Sequence, residues 1–516
     1  MTADAATALG PGWATLPGTR AKERPDELFA IFPDERVTFG QLDARITLMA
    51  RRLLAAGVQQ GDRVGIMLPG GSVDFVALLF AAARIGAIAV SVNARYKAAE
   101  LRYVAAHAGL RVLLADPRYD EIVAAADVRC PVHPPSGDPA FDDRLAPEDD
   151  VARAEATVRS EDPALMLYTS GTTARPKGVL LSHHGLLHQA RGFATRLQLT
   201  SEDRFWTPLP LFHIGGITVL MASLYASGRM VHVGFFDATL ALDQLEQERC
   251  TVAFPAFETI WMQVLYHPRF EQADLSALRH VTALGTPERL REMQERLPQV
   301  VQVSSTGSTE SGGFLCLGAV DDTLESRLTT AGRPLPGMEV RVVDPDTGRD
   351  VPPGVDGELL FRGPTRLLRY HDDPEATAAA IDADGYFHSG DIVRATERGE
   401  ISYIGRYKDM LKVGGENVAA AEIEDHLATH PAVEVVQVVS APDPRYTEVA
   451  AAFVKLRPGA SASEQELIAH CQGQIASFKV PRYVRFVTEW PLAGEKIRKS
   501  VLRERIAAEL KPEEDK

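Results

Sequence analysis

The sequence predicts an α/β fold: a large N-terminal domain of helix-covered, mainly parallel sheets with a β-rich subdomain, then a small α+β C-terminal domain. Three observations predict it. Apolar strand-like runs alternate with amphipathic helical runs early in the chain, which argues for parallel strands under helices. A valine-rich stretch broken by Asp-Pro, Thr-Gly and Pro-Gly turns comes later, and helix, strand and helix signals return toward the C-terminus.

The first ordered helix is expected to begin at Thr38, and the alternation follows from there. Thr38 and Gln41 form a capping box, Leu42, Ile46, Met49 and Leu53 recur on one helical face, and Gly57 is the expected stop. Residues 62–68 then read as an apolar strand, 73–86 as a helix, 87–92 as a strand, 98–109 as a helix and 111–116 as a strand. Between Pro131 and Ala154 the chain turns rich in Pro, Asp and Gly, the composition of a surface connection and not of a hinge. Residues 340–363 predict an antiparallel meander. Near the end, Ser463 and Glu466 form a capping box ahead of Leu467 and Ile468. The charged tail 511–516 is expected to fray.

With 516 residues and 45% hydrophobic content, the chain is too long for one core and has a globular composition. A formal charge of -15 opposes non-specific binding to nucleic acid or to an anionic membrane, so any anionic ligand must meet a local basic cluster. Cys130, Cys250, Cys316 and Cys471 lie far apart without metal-ligand spacing, as expected of reduced thiols. Arg84 interrupts the longest apolar stretch, so no membrane span is expected, and without an opening signal segment the expected location is the cytoplasm.

The most informative segment is Leu165 to His183. An apolar run ends in Thr169, Ser170, Gly171, Thr172 and Thr173, followed by Arg175, Lys177 and Gly178. Small residues let backbone amides approach phosphate oxygens, hydroxyls add donors, and Lys177 supplies compensating charge. The Gly-Lys-Ser/Thr ending of a Walker loop is missing, which disfavours a P-loop motor or kinase.

This loop resembles the signature of the adenylate-forming superfamily of acyl-CoA synthetases, adenylation domains and luciferases. Five further segments match in order: LPLFHIGG near His213, STGSTE ending at Glu310, YFHSGD ending at Asp391, GRYKDMLKVGGENV from Gly405, and PLAGEKIRKSVL around Lys496. Together they span most of the chain. The resemblance implies a large adenylation domain over 1–405, a small mobile domain over 406–516, and ATP, Mg²⁺ and coenzyme A as ligands.

It also implies roles. Thr169, Ser170, Gly171, Thr172, Thr173 and Lys177 would hold the β and γ phosphates; Glu310 and Thr169 would bind the metal. Gly285, Thr306, Gly307 and Thr309 would border the nucleotide, with Asp391 and Arg406 at the ribose. Lys496 would reach the carboxylate and α-phosphate during adenylation, Lys408 would be the hinge, and Gly414 and Gly415 would turn toward the pantetheine tunnel after rotation. Lys412 would contact a phosphate, and His213 would gate the acyl site. Taken singly, several of these residues have plainer readings. Glu310 and Lys496 suit a solvated surface, Asp391 a turn, Arg406 an interdomain ion pair, Gly414-Gly415 a hairpin, and His213 a helix start.

Amino-acid-activating relatives carry an aspartate where this chain has His213, which disfavours an amino acid. The segments 213–220, 254–257 and 312–315 are small or apolar, so an uncharged aromatic, alicyclic or aliphatic acid is expected. Three positions depart from the family pattern: Thr306 stands where an aromatic is usual, Glu495 replaces a glycine before Lys496, and Ala420 replaces a proline. The expected reaction is ATP-dependent joining of a carboxylic acid to coenzyme A through an acyl-adenylate. Loading of a carrier protein, a catalytically inactive nucleotide-binding regulator and a homodimer stay open as alternatives.

Overall fold

The computed structural model describes residues 12–510 except 170–174, 286, 346, 407–409, 494, 495 and 498. The predicted alternating elements recur within a residue or two, but the helix after Thr38 is not the first: Leu16–Glu23 is helical and Leu28–Ile31 a strand, a stretch whose Pro17 and Gly18 mask its helical character in sequence. Thr38 caps the helix Phe39–Ala55 through a full capping box, and Gly57, at φ 80°, takes the left-handed turn that ends it. Strands Arg63–Met67, Ile88–Ser91 and Leu110–Ala115 alternate with helices Val73–Arg84 and Ala98–Ala108.

Among the described residues these strands belong to a seven-stranded sheet. Its interior pairs are parallel, while Pro163–Thr169, Lys177–Ser182 and Arg369–Tyr370 run antiparallel at one edge. A second seven-stranded sheet carries Arg204–Thr207, Val252–Phe257 and His280–Leu284 in parallel register. The helix Val73–Arg84 is buried on every side, which explains its nearly unbroken apolar sequence. Arg84 at its end is held by Thr47 and Asp43, so the charge that interrupts the apolar run is a paired core residue.

The expected meander is a four-stranded antiparallel sheet of Glu339–Val343, Asp356–Arg362, Phe387–Ala395 and Ile401–Arg406. The stretch 131–154 departs from a plain surface connection. It holds the strand Val132–His133, the helix Pro139–Asp142 and the start of the helix Glu148–Thr157, with Phe141 and Val151 buried against the large core. Short apolar anchors among Pro, Asp and Gly suffice to pin a loop-like sequence onto a core.

From Leu411 to Ile506 a separate apolar core forms the small C-terminal domain. Its sheet contains Val433–Asp443, Thr447–Leu456, Met410–Val413, Glu416–Ala419 and Tyr483–Phe486. Ser463 and Glu466 close their capping box as expected. The tail 511–516 lies outside the described residues. No described helix is long and apolar enough to cross a membrane, and Cys250, Cys316 and Cys471 are buried free thiols.

Candidate active site

The hydroxyl-rich segment is flanked by two antiparallel strands, Pro163–Thr169 and Lys177–Ser182. Thr169 ends one strand and lies directly opposite Lys177, which opens the next. Antiparallel pairing therefore brings residues eight apart in sequence side by side at the loop's mouth. Ser170, Gly171, Thr172 and Thr173 lie outside the described residues.

Glu310 meets this mouth from another direction. The Thr169 hydroxyl is 3.4 Å from Glu310 Oε1, and the Tyr370 hydroxyl donates to the same oxygen at 3.2 Å. The Lys177 ammonium sits 4.8 Å from the centre of the Tyr370 ring. Thr169, Lys177 and Glu310 are thus gathered around Tyr370, which sequence reasoning missed. Burial and the adjacent Glu310 charge push the Tyr370 phenol far above its ordinary range, so it stays a donor. A compact turn fixes Glu310: Ser308 and Ser311 exchange side-chain and backbone hydrogen bonds, and Leu367 N–H donates to the Glu310 carbonyl at 2.7 Å.

Thr306 and Gly307, on the strand Ser305–Ser308, and Thr309, in the turn after it, border a cavity of about 530 Å³. Gly307 has no room for a side chain, because a Cβ there would stand 1.9 Å from the Gly313 carbonyl oxygen. Phe212, Phe254, Phe257, Ile260, Leu284 and Phe314 supply apolar walls. Phe254 and Phe314 pack edge to face with ring centres 5.2 Å apart, and Phe193 stacks behind Phe314 at 5.2 Å. Burying a charge among such walls without a partner is costly; Arg95, His213, Lys412 and Glu416 supply the cavity's polar side. Gly285 follows the wall residue Leu284 at the end of its strand. Its missing side chain faces Glu258, whose Oε2 would lie 3.1 Å from a Cβ there.

The opposite side of the cavity comes from the small domain. Gly414 and Gly415, at φ 55° and 88°, form the turn between Met410–Val413 and Glu416–Ala419, and both line the cavity with Lys412. The hairpin reading therefore holds, and the same turn borders the cavity. A Cβ on Gly415 would come within 2.7 Å of the Phe257 ring, so only glycine lets this backbone approach so closely. Lys412 is exposed and packs its ammonium 5.2 Å from the Tyr403 ring.

Glu416 follows directly. Its buried carboxylate accepts from Arg95 Nη1 at 2.7 Å and lies 3.0 Å from His213 Nε2. Burial alone would raise its pKa, but the hydrogen bond with His213 and the charge of Arg95 outweigh burial and the net shift is downward. His213 occupies the N-cap position of the helix Ile214–Ala226, makes no capping bond, and lines the cavity. Arg95 and Glu416 were not singled out from sequence, although Glu416 stands inside the matched segment.

Asp391 is buried and lies opposite Arg406 in antiparallel register, so the two ribose candidates are adjacent. The side chain of Arg406 lies outside the described residues, as does all of Lys408. The Lys496 backbone belongs to a short hairpin with Leu492–Ala493, its side chain again outside the described residues. Among the described residues no cluster of three His, Cys, Asp or Glu side chains could hold a metal by itself. The paired Thr169 hydroxyl and Glu310 carboxylate nevertheless suit a magnesium ion that takes its remaining oxygens from phosphates and water.

The Thr169–Lys177 strand pair, Glu310 beside it and a cavity lined by both domains accompany a match to the adenylate-forming class. The chain belongs to the AMP-binding enzyme family: that family's model matches residues 18–371, and the model of its C-terminal domain matches 422–496. It is 35% identical to the putative acyl-CoA synthetase YngI of Bacillus subtilis, over 93% of this chain and 94% of that protein. It is 34% identical to feruloyl-CoA synthase of an Amycolatopsis species, over 96% of this chain and 99% of that one. Among solved structures, o-succinylbenzoate CoA synthetase from Bacillus subtilis, bound with its product analogue, superposes with a TM-score of 0.86 at 25% identity. That match covers 96% of this chain and 99% of the other.

Proposed function

We propose that this chain is an ATP-dependent carboxylic acid:CoA ligase, forming an acyl-adenylate and then an acyl-CoA with release of AMP and pyrophosphate. The observation that carries the reading is the meeting of three parts at one cavity: the segment Thr306 to Thr309, the aromatic walls and the Gly414-Gly415 turn. In this reading the segment borders the adenylate, the aromatic walls take an uncharged aromatic, alicyclic or aliphatic acyl group, and the glycine turn borders the pantetheine arm. The match to a CoA synthetase bound with its product analogue supports the same arrangement.

The phosphate hairpin, with Lys177 and Thr169, would hold the β and γ phosphates, and Asp391 and Arg406 the ribose. Thr169 and Glu310 would bind magnesium, which when present neutralises charge on the triphosphate. The chain would divide into 1–405 and 406–516, with Lys408 as hinge. Lys496 would serve adenylation from a second orientation of the small domain, so Lys496→Ala should abolish acyl-adenylate formation while sparing thioester formation from supplied adenylate.

A panel of carboxylic acids with ATP, Mg²⁺ and CoA, read by mass detection of thioesters, tests class and substrate together. Acid-dependent pyrophosphate exchange without any CoA thioester would move the reading to carrier-protein loading. Nucleotide binding without exchange would make the chain a regulator.

A further inference from the structure

Lys479 lies between two carboxylates that belong to different domains. Its ammonium donates to Glu100 Oε1 at 2.6 Å and to Glu422 Oε1 at 2.7 Å. All three side chains are nearly shielded from water, with 4%, 8% and 12% of the Lys479, Glu100 and Glu422 side chains exposed. Glu422 stands on the helix Ala420–Ala428 and Lys479 on the turn Ser477–Lys479, both in the small domain. Glu100 stands on the helix Ala98–Ala108 of the large domain. Its second oxygen accepts the Lys97 backbone N–H at 2.9 Å, so the carboxylate is already oriented by its own helix cap.

We propose that Glu100 and Lys479 form a reversible latch, with Glu100 a positioning residue that holds the small domain in its thiol-transfer orientation. The proposal rests on the CoA-ligase reading. The Lys479–Glu422 pair lies within the small domain and travels with it; the contact to Glu100 exists only while the domains meet in this arrangement. On rotation Glu100 returns to water and Lys479 keeps Glu422, so neither orientation strands a buried, unpaired charge. Two carboxylates on one ammonium therefore suit a contact that must form and break in every turnover, where a single buried pair would not.

The test separates the half-reactions in Glu100→Gln, which keeps the side-chain size and leaves the Lys479–Glu422 pair intact. Acid-dependent pyrophosphate exchange should stay within about twofold of wild type, while single-turnover thioester formation from preformed acyl-adenylate should slow about tenfold. Glu422→Gln leaves the Glu100–Lys479 contact in place and should retain the thioester rate. Equal slowing of both half-reactions in Glu100→Gln would assign Glu100 a general structural role and overturn the latch, as would an unchanged thioester rate. Loss of the thioester step in Glu422→Gln with none in Glu100→Gln would also overturn it. Failure of the wild type to form any CoA thioester, with exchange intact, would instead remove the ligase reading beneath it.

Discussion

The Glu416 carboxylate, on the small domain, accepts from Arg95 at 2.7 Å and meets His213 at 3.0 Å, both on the large domain. A cavity-lining histidine is thereby tied to the domain that supplies the cavity's glycine turn. Replacing Glu416 with Gln keeps the shape but removes the charge that both partners face. Thioester formation should fall about tenfold while pyrophosphate exchange changes little, because truncating one member of a buried charge cluster weakens the assembled state. Rapid-quench measurement of each half-reaction decides the point, and an unaltered thioester rate would count against a coupling role.

Gly415→Ala adds one methyl group where the backbone has φ 88° and the Phe257 ring stands 2.7 Å from the new carbon. The turn must withdraw from the cavity, so the CoA-dependent step should drop at least about tenfold with adenylation retained. Comparing KM for CoA with the exchange rate checks this. A variant with normal CoA kinetics would show that the turn does not border the thiol path.

Lys177→Met removes the cation beside Tyr370 and opposite Thr169. On the proposed ligase reading, loss of this one preorganised charge beside the triphosphate should lower adenylation about a hundredfold or more. Tyr370→Phe, which removes only the donor to Glu310, should have a smaller effect and raise the magnesium concentration needed for half-maximal exchange. Identical magnesium dependence in the phenylalanine variant would disconnect Tyr370 from the metal site.

Acid stability should reflect His232. Its Nε2–H donates to the Leu209 carbonyl and its Nδ1 accepts the Gly234 N–H, so a second proton has no acceptor. Burial pushes its pKa down from 6.5 to about 4. The folded-state value is the lower one, so this contribution is full above pH 6.5 and disappears as pH falls toward 4. The loss is on the order of 3 kcal/mol, because a tenfold change in proton affinity is worth about 1.4 kcal/mol. Urea unfolding across this window should give a steeper pH dependence for wild type than for His232→Asn, and equal slopes would refute it.

The elements were legible in the sequence because their causes are local. The Thr38–Gln41 and Ser463–Glu466 boxes mark helix starts by contacts three residues apart. Alternation of apolar runs marks parallel strands, since the crossover between them must be a helix. In the site, Thr169 and Lys177 were legible for the same reason: both flank one short segment. Tyr370 and Arg95 were not, because their partners lie 60 residues away at Glu310 and 321 away at Glu416.

By itself, then, the sequence determined the class of fold, the family and the strand pair that places Thr169 opposite Lys177, all properties of short segments and their periodicity. Only tertiary structure decided how the small domain meets the large one, with Glu416 on His213 and Lys479 on Glu100. Those pairs depend on where two separately built cores come to rest, and charges so distant in the chain acquire their energies only when packing excludes water between them.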